Sequence, residues 1–134
     1  MNTVQPIRDL GKVNDIYDYL SSQNKRNGLL FAFGIYTGLR ISDILCIKVR
    51  QVRNQKYLSI RERKTGKEKN IRLNQFLKEK IDEYIADMKN YEYLFHGKKK
   101  TKPMTRQQAY NILSNAAEKF GVGAVGTHTL PYFD

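Results

Sequence analysis

Several things are scarce in this 134-residue chain, and each scarcity removes a class of protein. Cys46 is the sole cysteine, so neither an intramolecular disulfide nor a cysteine-rich zinc site can form. No apolar run approaches the roughly 20 residues that span a bilayer, and the amino terminus carries no signal-peptide pattern. These absences place the chain in a reducing, cytoplasmic compartment. There is no internal repeat, no Walker-type phosphate loop and no glycine-rich dinucleotide fingerprint. Paired His and carboxylate ligands at catalytic-metal spacing are missing as well, so no metal and no small-molecule cofactor is expected. Acid is also scarce: 13 Asp and Glu face 24 Lys and Arg, for a net charge of +11.

That excess of positive charge favours a polyanionic partner, because each phosphate neutralised by Lys or Arg releases condensed counterions. A merely soluble basic surface is the plainer alternative. The length suits one domain with one core. Residues 1–10 carry Pro6 and little periodicity, and read as a lead-in or linker stub; 11–134 read as the domain.

The periodicity predicts mostly helix. Val13, Ile16, Tyr17 and Leu20 recur on one helical face that ends near Ser21-Ser22-Gln23-Asn24. A second helix over 26–37 is apolar on nearly every side and should be buried. Gly38 stops it, and Ile41 to Ile47 resume as a short helix. Arg40 and Asp43 therefore stand at a helix junction, three positions apart. Asp43 near a helix amino terminus with Arg40 as its ion-pair partner is one reading; a charge presented to a ligand is the other. Cys46, between Leu45 and Ile47, reads as a buried structural thiol.

Alternation of Leu58 and Ile60, a Thr65-Gly66 turn, and Ile71 and Leu73 on the return predict a β-hairpin. Its tip is basic, with Arg61, Arg63, Lys64, Lys67, Lys69 and Arg72 against Glu62 and Glu68. Such a ribbon can reach a nucleic-acid backbone or groove; equally, lysines on an edge strand discourage strand addition. Asn74 caps a helix striped with Leu77, Ile81, Tyr84, Ile85 and Met88. Tyr93-Leu94-Phe95 reads as a short strand or extended segment. It is followed by a loop in which Lys98, Lys99, Lys100 and Lys102 meet no acid. His96 has no second metal-spaced ligand and reads as an ordinary loop residue. Thr105-Arg106-Gln107-Gln108 matches a capping box for a helix with the stripe Ala109, Ile112, Leu113, Ala116, Ala117 and Phe120. Arg106 and Gln107 lie at its amino-terminal edge, where free backbone N–H groups can meet phosphate.

Four of these pieces, in order, carry a resemblance to the catalytic domain of the tyrosine recombinases, the phage-integrase family. They are Thr37-Gly38-Leu39-Arg40-Ile41-Ser42-Asp43, the basic hairpin with Lys64 before its turn, Thr105-Arg106-Gln107-Gln108, and Thr127-His128-Thr129-Leu130. The resemblance implies an α+β, mainly α-helical fold with a small antiparallel sheet, that of the DNA breaking-rejoining enzymes. It implies that Arg40 grips the scissile phosphate, Asp43 supports that arginine, Lys64 protonates the leaving 5′ oxygen, and His128 belongs to a His-x-x-Arg motif. The physics suits these roles. A planar guanidinium offers paired donors to non-bridging oxygens, and a lysine among other cations gives up its proton more readily.

In the family a tyrosine forms a covalent 3′ phosphotyrosine, which conserves bond energy without metal or ATP. Arg61, Arg63, Lys67, Lys69, Lys98, Lys99, Lys100, Arg106 and Gln107 would contact double-stranded DNA, and other recombinase protomers would be further partners. Two departures stand out. Pro131 occupies the place of the second arginine, and the family's tyrosine would lie beyond Asp134. Tyr132 is out of family order, and Tyr36, Tyr84 and Tyr110 sit in packing positions. The expectation is an incomplete, carboxy-terminally truncated recombinase catalytic domain that takes part in DNA integration and recombination but is inactive alone. The alternative is a non-catalytic DNA-binding or interaction module that retains the fold.

Overall fold

The computed structural model describes residues 10–121, and five α-helices, two strands and a 3-10 turn built from them position the site. Helix α1 (Leu10–Gln23) and helix α2 (Lys25–Thr37) form an antiparallel pair joined through Asn24, whose side-chain oxygen accepts Arg26 N–H at 2.9 Å. That bond satisfies one of the donors a helix start leaves open. Val13, Ile16 and Leu20 of α1 are buried as their spacing predicts, and α2 is buried from Gly28 to Phe33. The two helices approach closely where Gly28 faces Ser21. A Cβ at Gly28 would lie 1.9 Å from Ser21 Oγ, so only glycine fits.

Gly38 ends α2 in the left-handed conformation at φ 74°, which a side chain would resist. The next helix, α3 (Ile41–Ile44), is shorter than its sequence pattern suggests, stopping at Ile44 rather than Ile47. Residues beyond it turn into a single 3-10 turn over Val49–Gln51, because the backbone at Ile47 and Val49 is taken by another segment. Val49 N–H donates to Glu92 O and Leu94 N–H to Ile47 O, both at 2.9 Å. Tyr93-Leu94-Phe95 is therefore not the strand or extended segment expected: Tyr93 and His96 form isolated bridges with Lys48 and Pro103, and Leu94 and Phe95 turn between them.

Strands β1 (Tyr57–Arg61) and β2 (Glu68–Arg72) pair antiparallel, with Leu58 opposite Ile71 and Ile60 opposite Lys69. A lone two-stranded ribbon is marginal in water; here Leu58 and Leu73 are sunk in the core and anchor it. Helix α4 (Gln75–Ile85) starts at Asn74, whose side chain accepts Leu77 N–H at 2.8 Å, and packs Leu77, Ile81 and Ile85 against α2. Helix α5 (Arg106–Lys119) starts at Thr105, whose hydroxyl accepts Gln108 N–H at 3.1 Å. The reciprocal half of a capping box, from the Gln108 side chain to Thr105 N–H, is not formed among the described residues. The core closes around edge-to-face rings such as Phe33 and Phe95, 5.6 Å between centres. Among the described residues the architecture is mainly helical with one small antiparallel sheet, as the sequence pattern predicts.

Candidate nucleic-acid site

Arg40 is the residue before the first turn of α3, in extended conformation, and makes no side-chain cap. It is half-buried, and its Nη1 is enclosed without a hydrogen-bond partner among the described residues. Asp43, one turn on, is buried at 4% exposure. The two do not form the ion pair that their spacing suggests. Instead Asp43 Oδ1 accepts the backbone N–H of Arg63 at 3.0 Å, which ties α3 to the tip of the hairpin. Asp43 Oδ2 remains without a partner among the described residues. Buried polar atoms are rarely left so, and here a donor and an acceptor are both left open beside the same short helix.

The second contact between α3 and the tip is unexpected. Arg63 Nη1 donates to Cys46 Sγ at 3.2 Å, and Cys46 is exposed. This corrects the expectation of a buried thiol. Because α3 ends at Ile44, Leu45 and Ile47 turn inward while the residue between them faces out.

Lys64 follows Arg63 in the turn that links the strands. That turn is closed by Glu62 N–H to Lys67 O and by Gly66 N–H to Glu62 O, each 2.8 Å. The Glu62 carboxylate lies below the usual range, first because Thr65 Oγ1 donates to it and next because Lys69 does; Arg40 adds a smaller attraction. Lys64 and Arg63 form one wall of an open cleft of about 500 Å³, which Ser42 and Cys46 floor and Met104 and Arg106 close. Thus the tip of the hairpin, the end of α3 and the start of α5 converge on one positive hollow.

The other basic candidates are distributed differently. Arg61 and Lys69 lie on opposite faces of the ribbon, and each is engaged by an acid: Arg61 with Glu68 at 2.8 Å, Lys69 with Glu62 at 3.1 Å. Lys67 is exposed on the turn, and its backbone N–H donates to Thr65 Oγ1. Lys98, Lys99 and Lys100 are exposed and do not line the cleft. Gln107 is exposed, and its side chain bonds Asn111. His128 and Pro131 fall outside the described residues. The sequence does not mark Ser42, Leu45, Cys46, Pro103 and Met104 as lining residues, because only tertiary structure brings α3, the segment after it and the approach to α5 to one cleft.

No group of three or more His, Cys, Asp or Glu that could hold a metal occurs among the described residues. No helix among them is long and apolar enough to cross a membrane.

Comparison with known proteins follows the same outline. The sequence profile of the phage integrase family matches residues 9–131. The probable integrase/recombinase YoeC of Bacillus subtilis is 48% identical over 130 residues, which cover 97% of this chain and 72% of that protein. A TnP I resolvase of Bacillus thuringiensis is 37% identical over 90 residues, 62% of this chain and 32% of that one. The fold is similar to that of XerA recombinase, with a TM-score of 0.73 at 13% identity over 93% of this chain. It is likewise similar to that of lambda integrase bound to DNA, with a TM-score of 0.69 at 16% identity over 94% of this chain. The chain spans 46% of each of those two structures, about half their length.

Proposed function

The chain belongs to the phage integrase family, and on that premise we propose that it binds double-stranded DNA and supplies the phosphate-gripping part of a site-specific recombinase catalytic domain. The observation that carries this reading is the state of Arg40. Its Nη1 is enclosed without an acceptor among the described residues, and Asp43 directs one carboxylate oxygen to the hairpin backbone instead of to Arg40. A guanidinium N–H kept open in this way suits a phosphate oxygen, which can take paired, charge-assisted bonds from it.

Lys64, on the wall of the cleft, takes the general-acid role in this reading, and Arg63 and Arg106 beside it add attraction for the phosphate backbone. Asp43 acts by holding the hairpin tip rather than by pairing with Arg40. Arg61, Lys67, Lys69 and the lysine loop extend the contact surface, and Gln107 stands at the open start of α5. His128 completes the set from beyond the described residues. The compartment consistent with this role is the cytoplasm.

Pro131 supplies neither charge nor donor where the resemblance places a second arginine. Strand cleavage by this chain alone is therefore expected to fail, and a second reading, a DNA-binding module without catalysis, rests on the same residue. Duplex binding measured against salt tests the shared part: a steep loss of affinity with salt is expected, and a flat titration would overturn it. A nicked suicide duplex tests the rest. The chain alone should give no covalent adduct, and an adduct would overturn that expectation. Mixed with an intact integrase that lacks its own first arginine, the chain should restore cleavage if it contributes Arg40 in a shared assembly; continued silence favours the module.

A further inference from the structure

Three large apolar side chains stand exposed among the described residues, and two have neighbours that explain them. Tyr36 packs on Phe76 at 5.6 Å between ring centres, and Tyr57 lies across the ribbon from Arg72. Tyr91 is the most open, 58% exposed, and its ring stacks on no other ring among the described residues. Its segment is nevertheless held firmly. Arg50 N–H donates to Asn90 O at 3.1 Å and Val49 N–H to Glu92 O at 2.9 Å. The Glu92 side chain is buried, 3% exposed, and the tyrosines on either side of it are left outside, Tyr91 open and Tyr93 half-buried.

Four cations surround this segment. Lys48 Nζ lies 5.2 Å from the centre of the Tyr93 ring, and Tyr93 N–H donates to Lys100 O at 3.1 Å. Arg50, Lys89 and Lys100 are exposed, and none of the four is ion-paired with an acid among the described residues. The one acid within residues 89–93 is the buried Glu92, so the charge outside is left unneutralised. An open phenol ring among unpaired cations offers a face for stacking and attraction for phosphate. A duplex covers its base faces with neighbouring pairs; an unpaired strand presents them.

We propose that Tyr91 and Tyr93, with Lys48, Arg50, Lys89 and Lys100, form a binding surface for an unpaired DNA strand, separate from the cleft that takes the duplex. A base stacks on Tyr91, and the flanking phosphates meet the four cations. In taking the partner to be DNA, this rests on the reading above. The surface lies close to the cleft along the chain. Lys48 is two residues from Cys46 and Lys100 three from Pro103, and both Cys46 and Pro103 line the cleft. At about 3.8 Å per residue, Lys48 and Lys100 are within about 8 and 11 Å of those residues, Cα to Cα. A strand that leaves the cleft unpaired thus has a stacking platform beside it.

Binding of a short oligothymidine strand and of a mixed-sequence duplex to the full chain tests this. Tyr91→Ala should weaken the single strand by about tenfold and leave the duplex unchanged, while Tyr91→Phe, which keeps the ring face, should match the parent on both. Replacing Lys48 and Arg50 together by Gln should lower the salt slope for the single strand by about 1.4, the share of two phosphate contacts. Single-strand binding that ignores Tyr91→Ala would overturn the proposal, as would an equal loss on single strand and duplex. An oligoglutamate peptide is the control for a protein partner: if it bound as tightly as the oligothymidine and with the same dependence on Tyr91, the surface would be one for acidic peptides and the proposal would fall. The two readings fail separately. Absent duplex binding with a Tyr91-dependent single strand would remove the cleft reading and keep this surface; duplex binding with no Tyr91-dependent single strand would do the reverse.

Discussion

Asp43 Oδ1 accepts the backbone N–H of Arg63 at 3.0 Å, and through that bond a helix of four residues sets the position of Lys64. The bond spans 20 residues of sequence and crosses from the helical layer to the ribbon. Removing the acceptor leaves a part-buried N–H without a partner, which costs about 1–3 kcal/mol. Asp43→Ala is expected to lower the melting temperature and to speed amide exchange at Arg63 and Lys64. Asp43→Asn, which keeps an oxygen acceptor, should protect the tip far better. Equal exchange in the alanine variant and the parent would refute the latch.

Arg40 separates stability from function. An unpaired buried donor is a burden of about 1–3 kcal/mol, so Arg40→Met should hold or raise the melting temperature. Hydrogen bonds to charged groups are worth about 1.5–3 kcal/mol, so the same variant should bind duplex DNA at least about tenfold more weakly. A variant that is both less stable and equally tight would show Arg40 to be structural.

The close approach of α1 and α2 predicts a sharp packing penalty. Gly28→Ala places a Cβ 1.9 Å from Ser21 Oγ, and overpacking of this kind costs about 1–3 kcal/mol. Ser21→Ala alone should be neutral or mildly stabilising, because Ser21 Oγ is buried without a partner among the described residues. The double variant should recover only part of the loss, since Ser21 Cβ is itself 2.9 Å from the new atom. Full recovery in thermal melts would mean the helices shift more freely than this packing allows.

Alkaline unfolding should involve Tyr84. Burial pushes its phenol from 10.0 up to about 12, with a smaller lowering by the Arg26 charge and a smaller raising by the Glu92 charge. The unfolded chain then loses its proton first, so stability is full below pH 10 and declines as pH rises towards 12. Tyr84→Phe should flatten that decline in melts taken between those limits. A parallel decline in both proteins would place the alkaline transition elsewhere.

Much of the fold was legible because it depends on local chemistry. Asn24, which accepts Arg26 N–H, was seen only as part of a polar cluster, yet Asn74 and Thr105 cap the helices that their spacing to apolar stripes implies. The hairpin register follows from Leu58 and Ile71 needing the same buried face. The errors share a different cause. Arg40 and Asp43 sit at a spacing that suits an ion pair, but Asp43 is claimed by a residue whose proximity only tertiary structure creates. Cys46 lies between apolar neighbours, and its exposure follows from the early end of α3, which is imposed by the backbone demands of Glu92 and Leu94 on Val49 and Ile47.

The loop carrying Lys98, Lys99, Lys100 and Lys102 has one more property. The carbonyls of Lys99, Lys100 and Lys102 all accept backbone N–H groups, from Lys102, Tyr93 and Gly97 respectively, and Arg26 braces its base at His96 O. Its backbone is already ordered, so on meeting a partner only the side chains have freedom to surrender. Each such side chain gives up about 0.5–1.5 kcal/mol of conformational entropy, and none is spent on the main chain. Loosening that loop, by glycines for instance, should weaken association through entropy alone, with every positive charge still in place.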